Sequence, residues 1–117
     1  MLGRLSVQNT IAPALSLDEH GAIKDCTKPV LSLFGFSYEE LIGKNVSLLF
    51  PQLLDVELVK GKNVNPLLSS LTRCGHLYEA CNRLGNCFLC HLIFIRVEFF
   101  GIHSLRVLIN PTEDLLT

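Results

Sequence analysis

The residues most able to do chemistry crowd into one stretch: Cys74, His76, Cys81, Cys87, Cys90 and His91. Cys87-Phe-Leu-Cys-His91 has the C-x-x-C-H spacing of covalent haem attachment, in which two thiols bond the vinyl groups of one haem. That chemistry needs both thiols on one side of the backbone. Residues 87–100 are dense in β-branched and aromatic side chains, which predicts a strand. On a strand, residues three apart point to opposite faces and lie about 10 Å apart along the chain. Zinc meets the same objection, because closed zinc sites hold convergent thiolates on knuckle turns. Buried structural cysteines are the expectation, with no metal and no cofactor assigned. There is no Gly-rich phosphate loop and no G-x-S-x-G elbow. Nothing orders Cys87 against a histidine and a third group, so no catalytic residue is assigned and the chain is read as non-enzymatic.

Composition narrows the class. The chain has 117 residues, 49% of them hydrophobic, which suits one domain with one core. The net charge of −1 and the lack of a basic block argue against nucleic acid or an anionic membrane as partner. No apolar run reaches the roughly 18 residues of a membrane span. The first ten residues lack the apolar core of an export signal, and the cysteine count of five is odd. Reduced thiols in a cytoplasmic setting are therefore expected.

The positioning elements can be read locally. Ala14–Leu17 and residues 22–26 read as strands around a turn at 18–21, with Gly21 supplying an unusual dihedral. A short helix over Lys28–Phe34 is predicted, capped by Thr27 with Pro29 in its first turn and Gly35 at the bend after it. Ser37-Tyr-Glu-Glu40 has capping-box spacing, with Phe36 and Leu41 as hydrophobic staple and Gly43 as left-handed cap. Residues 52–64 are mixed, with a loop at 61–63. Asn65 and Pro66 start a helix with Leu67, Leu68 and Leu71 as its apolar stripe, ended by Gly75. Strands follow at 76–82, 87–100 and 103–110, joined by a turn at 83–86 and a break at Gly101, and Thr112 begins an exit helix or linker over 112–117. Strands separated by a helical block argue for an antiparallel α+β domain with helices on one face.

The order of elements, together with "LFGFSYEELIGKNVSLLFP" at 33–51 and "NPTE" at 110–113, resembles the PAS sensor-domain family over residues 11–110. The resemblance implies a five-stranded antiparallel sheet in the order 2-1-5-4-3, with short helices on one face and a pocket between. It divides the chain into an N-terminal segment 1–12, a domain over 13–111 and the exit. It also implies a sensory or regulatory module that binds a small ligand or partner and passes a signal to an output domain in the same polypeptide. Two alternatives are a ligand-free dimerisation module and a haem-based redox or gas sensor. The light-sensing branch bonds flavin through a cysteine, and Val46 stands at that position here, so no photoadduct is expected. Haem-binding members ligate iron from the pocket helix, and the matching helix here has no histidine.

Period-two alternation assigns faces. If Arg96 and Glu98 face outward, then Cys87, Leu89, His91, Ile93, Ile95 and Val97 face inward. Glu79 outward puts His76, Tyr78 and Ala80 inward. The expected ligand-binding residues are Tyr78, His91 and His76, with Val46, Leu49, Leu67 and Leu71 as apolar lining, suiting a small, mostly apolar ligand. The same parity leaves Phe88, Cys90, Leu92 and Phe94 as an outer apolar row, expected to form a homodimer interface; two coverings are open, residues 2–7 folded back as a short amphipathic helix or the sheet of a second copy, and the resemblance to PAS domains allows both at once.

Overall fold

A computed structural model describes residues 12–112. The capping box forms as the spacing predicts. The Ser37 hydroxyl accepts the Glu40 N–H at 3.2 Å, and the Glu40 carboxylate accepts the Ser37 N–H at 2.9 Å. The helix it starts, α2 (Tyr38–Leu41), is only four residues long. Too short to persist alone, it is held by buried Leu41 and by a second bond of Glu40, which also pairs with the Arg83 guanidinium, 43 residues further along the chain. The preceding helix α1 (Lys28–Phe34) has the expected bounds, but Thr27 makes no capping bond. Its hydroxyl instead donates to the Ala12 carbonyl and accepts from the Ala14 N–H, holding the first strand.

Strands β1 (Ala14–Leu17) and β2 (Ile23–Cys26) pair antiparallel around Gly21. Gly21 has φ +90°, and a Cβ there would meet Asn45 Nδ2 at 3.2 Å and Leu58 at 3.3 Å, so glycine is required on both counts. The close approach is used: the Val46 N–H donates to the Gly21 carbonyl and the Ile23 N–H to the Lys44 carbonyl, both at 2.8 Å. Residues 43–46 are thereby stitched to the start of β2. Two 3-10 turns follow, Val46–Leu48 and Pro51–Leu53, then a two-residue ribbon of β3 (Val59–Lys60) and β4 (Asn63–Val64). The ribbon was not foreseen, because two-residue strands leave no alternation to read. Helix α3 (Pro66–Arg73) is capped by Asn65, whose side chain accepts the Leu67 N–H and donates to the Glu57 carbonyl.

Strands β5 (Tyr78–Cys81), β6 (Cys87–Phe99) and β7 (Ile102–Pro111) complete a five-stranded antiparallel sheet. Its order is β2-β1-β7-β6-β5, the expected 2-1-5-4-3 arrangement once the small ribbon is set aside. The ladder runs on past β7, since Thr112 donates to the Leu89 carbonyl through both its N–H and its hydroxyl. Among the described residues no helix is long and apolar enough to cross a membrane. The expected helix over residues 2–7 lies outside the described residues, as does all of the exit segment after Thr112.

The face assignment of β6 is reversed from expectation. Phe88, Cys90, Leu92 and Phe94 turn toward the helices, with Cys90, Leu92 and Phe94 in the core. Cys87, Leu89, His91, Ile93, Ile95 and Val97 take the outer face. The cause is length. Thirteen residues at about 3.3 Å each outrun the helical layer. Arg96 and Glu98 share the inner parity but lie toward the strand's end, where Arg96 is partly exposed and Glu98 exposed. Arg96 donates to His103 Nδ1 and lies 3.8 Å from Glu98.

Ser37→Ala is expected to destabilise the domain by about 1 kcal/mol in urea denaturation, through loss of one side of the capping box. Glu40 supplies a pH dependence as well. The Ser37 N–H first, and Arg83 second, hold its carboxyl below its ordinary value near 4.5. A depressed carboxyl contributes stability that is present above 4.5 and lost as pH falls through the lower folded value. Glu40→Gln is therefore expected to flatten the acid limb of a stability-versus-pH profile below pH 4.5 and to leave its neutral plateau lower than wild type.

Candidate functional site: a buried tyrosine in the sheet–helix interior

The interior between sheet and helices is filled by aromatic and aliphatic side chains. Phe34 meets Phe50 edge-on at 5.7 Å and Phe88 at 5.5 Å. Leu41, Leu49, Leu68 and Leu92 are buried around them. Each such side chain contributes on the order of 1.5–3 kcal/mol through burial.

Toward β5 the filling carries one polar atom. Tyr78 is 2% exposed, and its hydroxyl has no hydrogen-bond partner among the described residues. The ring packs edge-on against His76 at 4.6 Å and Phe94 at 6.3 Å. Burial raises the phenol pKa, so the group stays neutral and offers one donor and acceptor lone pairs. Leaving a buried hydroxyl unsatisfied costs about 1–3 kcal/mol. Directly opposite on β6, Cys90 lies under the Tyr78 backbone, its thiol 3.9 Å from the Tyr78 carbonyl. Burial pushes the Cys90 thiol up to about 12, which leaves it no thiolate to act as nucleophile or ligand.

The structure separates the other expected ligand residues. His76 is half-buried beside Tyr78, and Val46 and Leu49 are in the core. Leu71 packs on the core edge, whereas Leu67 is 60% exposed on the solvent side of α3, where Leu68 takes the buried place. His91 is exposed on the outer face of the sheet, paired with Asn110. It shares no space with Tyr78, because β5 pairs Tyr78 with Cys90 and the next residue points the other way. Cys87 is exposed and Cys90 buried, so the C-x-x-C-H thiols stand on opposite faces. Among the described residues no group of three or more histidine, cysteine or acidic side chains is arranged to hold a metal ion.

Several cavities open on the surface of the described residues. A broad groove runs over Pro13, Cys26, Thr27, Pro29 and Leu33. A cleft of about 230 Å³ lies between Lys62 of the ribbon turn and Arg96, His103 and Leu105 of the sheet. The outer face of the sheet is apolar along its centre. Leu89, Ile93, Ile95 and Val97 lie along β6, with His91 interrupting them after Leu89, and Leu108 stands opposite Ile93 on β7. Phe88, Cys90, Leu92 and Phe94, expected on this face, cannot contribute to an interface here because they are part of the core or packed on it.

Comparison with known proteins agrees with this geometry. The sequence profile of the PAS fold matches residues 2–64. No curated protein sequence matches the chain significantly. Among solved structures, the chain is similar to a PAS domain from a two-component sensor histidine kinase, with TM-score 0.67 and 10% identity over 95% of this chain and 94% of that one. It is similar to the PAS domain of an HTR-like protein from Haloarcula marismortui, with TM-score 0.67 and 15% identity over 95% and 96%. It is also similar to the PAS domain of nitrogen regulation protein NR(II) from Vibrio parahaemolyticus, with TM-score 0.62 and 14% identity over 96% and 99%. With its five-stranded sheet, its helices on one face and a profile match over half of its length, this chain belongs to the PAS family.

Proposed function

We propose that this domain is a non-catalytic sensory or regulatory module that takes a small, mostly apolar ligand against Tyr78 and passes the change to an output domain. The observation that carries this reading is the unpartnered Tyr78 hydroxyl in an otherwise apolar interior. A ligand with one carbonyl, hydroxyl or amide group satisfies that atom, and its apolar remainder replaces side-chain contacts to Phe94, His76 and Leu92. Recognition through one buried polar group favours ligands that carry it, because analogues lacking it leave the hydroxyl orphaned. The PAS neighbours in a histidine kinase and a nitrogen regulator support a signalling role by family analogy.

A thermal-shift screen with small alcohols, ketones and amides tests this. Stabilising hits are expected in wild type and lost in Tyr78→Phe. In the absence of compound, Tyr78→Phe is expected to be neutral or more stable by up to about 1–3 kcal/mol, since it removes an unsatisfied group. Hits that persist in Tyr78→Phe, or a clear loss of unliganded stability, would show that the hydroxyl is not a ligand anchor.

A second reading, homodimerisation through the outer sheet face, is favoured by the apolar row at Leu89, Ile93, Ile95, Val97 and Leu108. A contiguous apolar patch on a sheet commonly marks an interface, and a two-fold pairing of the same face closes it. Ile93→Asp is expected to give a folded monomer in sedimentation, while wild type sediments as a dimer. Leu92→Asp is expected instead to unfold the domain, because it buries a carboxylate at a core position 1% exposed. A monomeric wild type at high concentration rules the dimer out.

A further inference from the structure

The turn between β5 and β6 brings two thiols together on the outer face. Cys81 and Cys87 are direct cross-strand partners, the last pair before the turn over residues 82–86. The backbone bond of the turn is made by the next pair, Asn82 N–H to the Asn86 carbonyl at 2.9 Å, and the Cys81 N–H donates away from β6 to the Leu49 carbonyl. Cys81 and Cys87 therefore occupy a non-hydrogen-bonded position of the ladder. There the strands approach most closely, with about 4.5 Å between Cα atoms, inside the 4.4–6.8 Å range that a disulfide spans. The turn is set without any cross-link: the Asn82 side chain accepts the Leu84 and Asn86 N–H groups, and the Arg83 N–H donates to the Phe34 carbonyl. No strand rearrangement is needed to join the sulfurs.

We propose that Cys81 and Cys87 are an oxidisable dithiol that a low-molecular-weight disulfide such as glutathione disulfide converts to an intramolecular disulfide. The other cysteines lack a partner of this kind. Cys90 stands opposite Tyr78 and Pro111, and Cys26 opposite Leu15. Access selects Cys87 as the residue that reacts first. It is exposed, whereas Cys81 is half-buried. The neighbouring Cys87 side chain, and then partial burial, push the Cys81 thiol up to about 11. Cys81 thus stays protonated until the second step of the exchange.

The exchange balances. The Cys87 thiolate attacks one sulfur of glutathione disulfide, forming a mixed disulfide and releasing one glutathione thiolate, which takes up the Cys81 proton. The Cys81 thiolate then attacks the Cys87 sulfur and displaces the second glutathione. Two protein thiols are oxidised and one glutathione disulfide is reduced to two glutathiones. The closed loop is short, so the bond restricts the unfolded chain little and stays reversible. Its location gives the modification a target, because Arg83 in the same turn ties the hairpin to Glu40 of α2.

The test is to incubate the full chain with glutathione disulfide under native conditions, quench, denature, alkylate with N-ethylmaleimide and measure intact mass and tryptic peptides. The expected result is loss of two of the five alkylation sites and of the mass of two hydrogens, reversed by dithiothreitol, with the peptide ending at Arg83 linked to the one ending at Arg96. Cys87→Ser, at an exposed site that does not threaten folding, is expected to abolish the linkage, as is Cys81→Ser. Cys74→Ser, which alters the other cysteine of the first peptide, is expected to leave it intact. Five alkylated thiols after oxidation, glutathione retained on wild-type Cys87, or a linkage that survives Cys87→Ser would each overturn the proposal.

Discussion

A strand shows a side chain to each face at every second residue, so a single pairing, Tyr78 opposite Cys90, assigns all thirteen residues of β6. That parity puts Cys90, Leu92 and Phe94 under the helices and the aliphatic row from Leu89 to Val97 on the other side. It also sets Tyr78 inside the core and Cys81 with Cys87 outside it. A slip of one residue would exchange every one of these placements. The register is protected against slip from two directions. Ten consecutive pairs with β7 fix it along the length of the strand, and the Arg83 bonds to Phe34 and Glu40 fix it at the turn.

The local punctuation was legible because its signals depend on neighbours in sequence. Ser37 and Glu40, Asn65 and Pro66, and Gly21 each need only residues a few positions away to declare a cap or a turn. The face of β6 was not legible, because it depends on where the helical layer stops. Arg96 and Glu98 look like outward residues, yet they take the inward parity and are hydrated by running toward and past the layer's edge. Their charges are met by His103 and by each other. A polar residue identifies a face only while that face is covered. The same limit explains Leu67 and Leu68, adjacent leucines on a short helix of which only one can be buried.

The candidate site divided along the same line. Tyr78 could be placed inside from the alternation of β5 alone, since Glu79 marks the outer side of a strand whose inward residues, Tyr78 and Ala80, are both buried. His91 followed the error on β6 and landed on the opposite side of the sheet. What no sequence pattern signals is that the Tyr78 hydroxyl lacks a partner. Satisfaction of a buried polar atom is a property of the whole surrounding shell, here His76 just ahead of β5 with Phe94 and Cys90 on β6.

Thr112 is held fast at the end of β7. Two donors of one residue, a backbone N–H and a hydroxyl, converge on the Leu89 carbonyl, and Pro111 beside it is paired with Cys90. Rotation about the last link of β7 would break both bonds at once. Thr112 is thereby keyed to β6 as well as to its own strand, like a shaft to a gear. The anchoring carbonyl belongs to Leu89, which begins the aliphatic row on one face, and its neighbour Cys90 lies beneath Tyr78 on the other. The end of β7 is thereby tied to a point of β6 whose adjacent residues serve the two faces of the sheet.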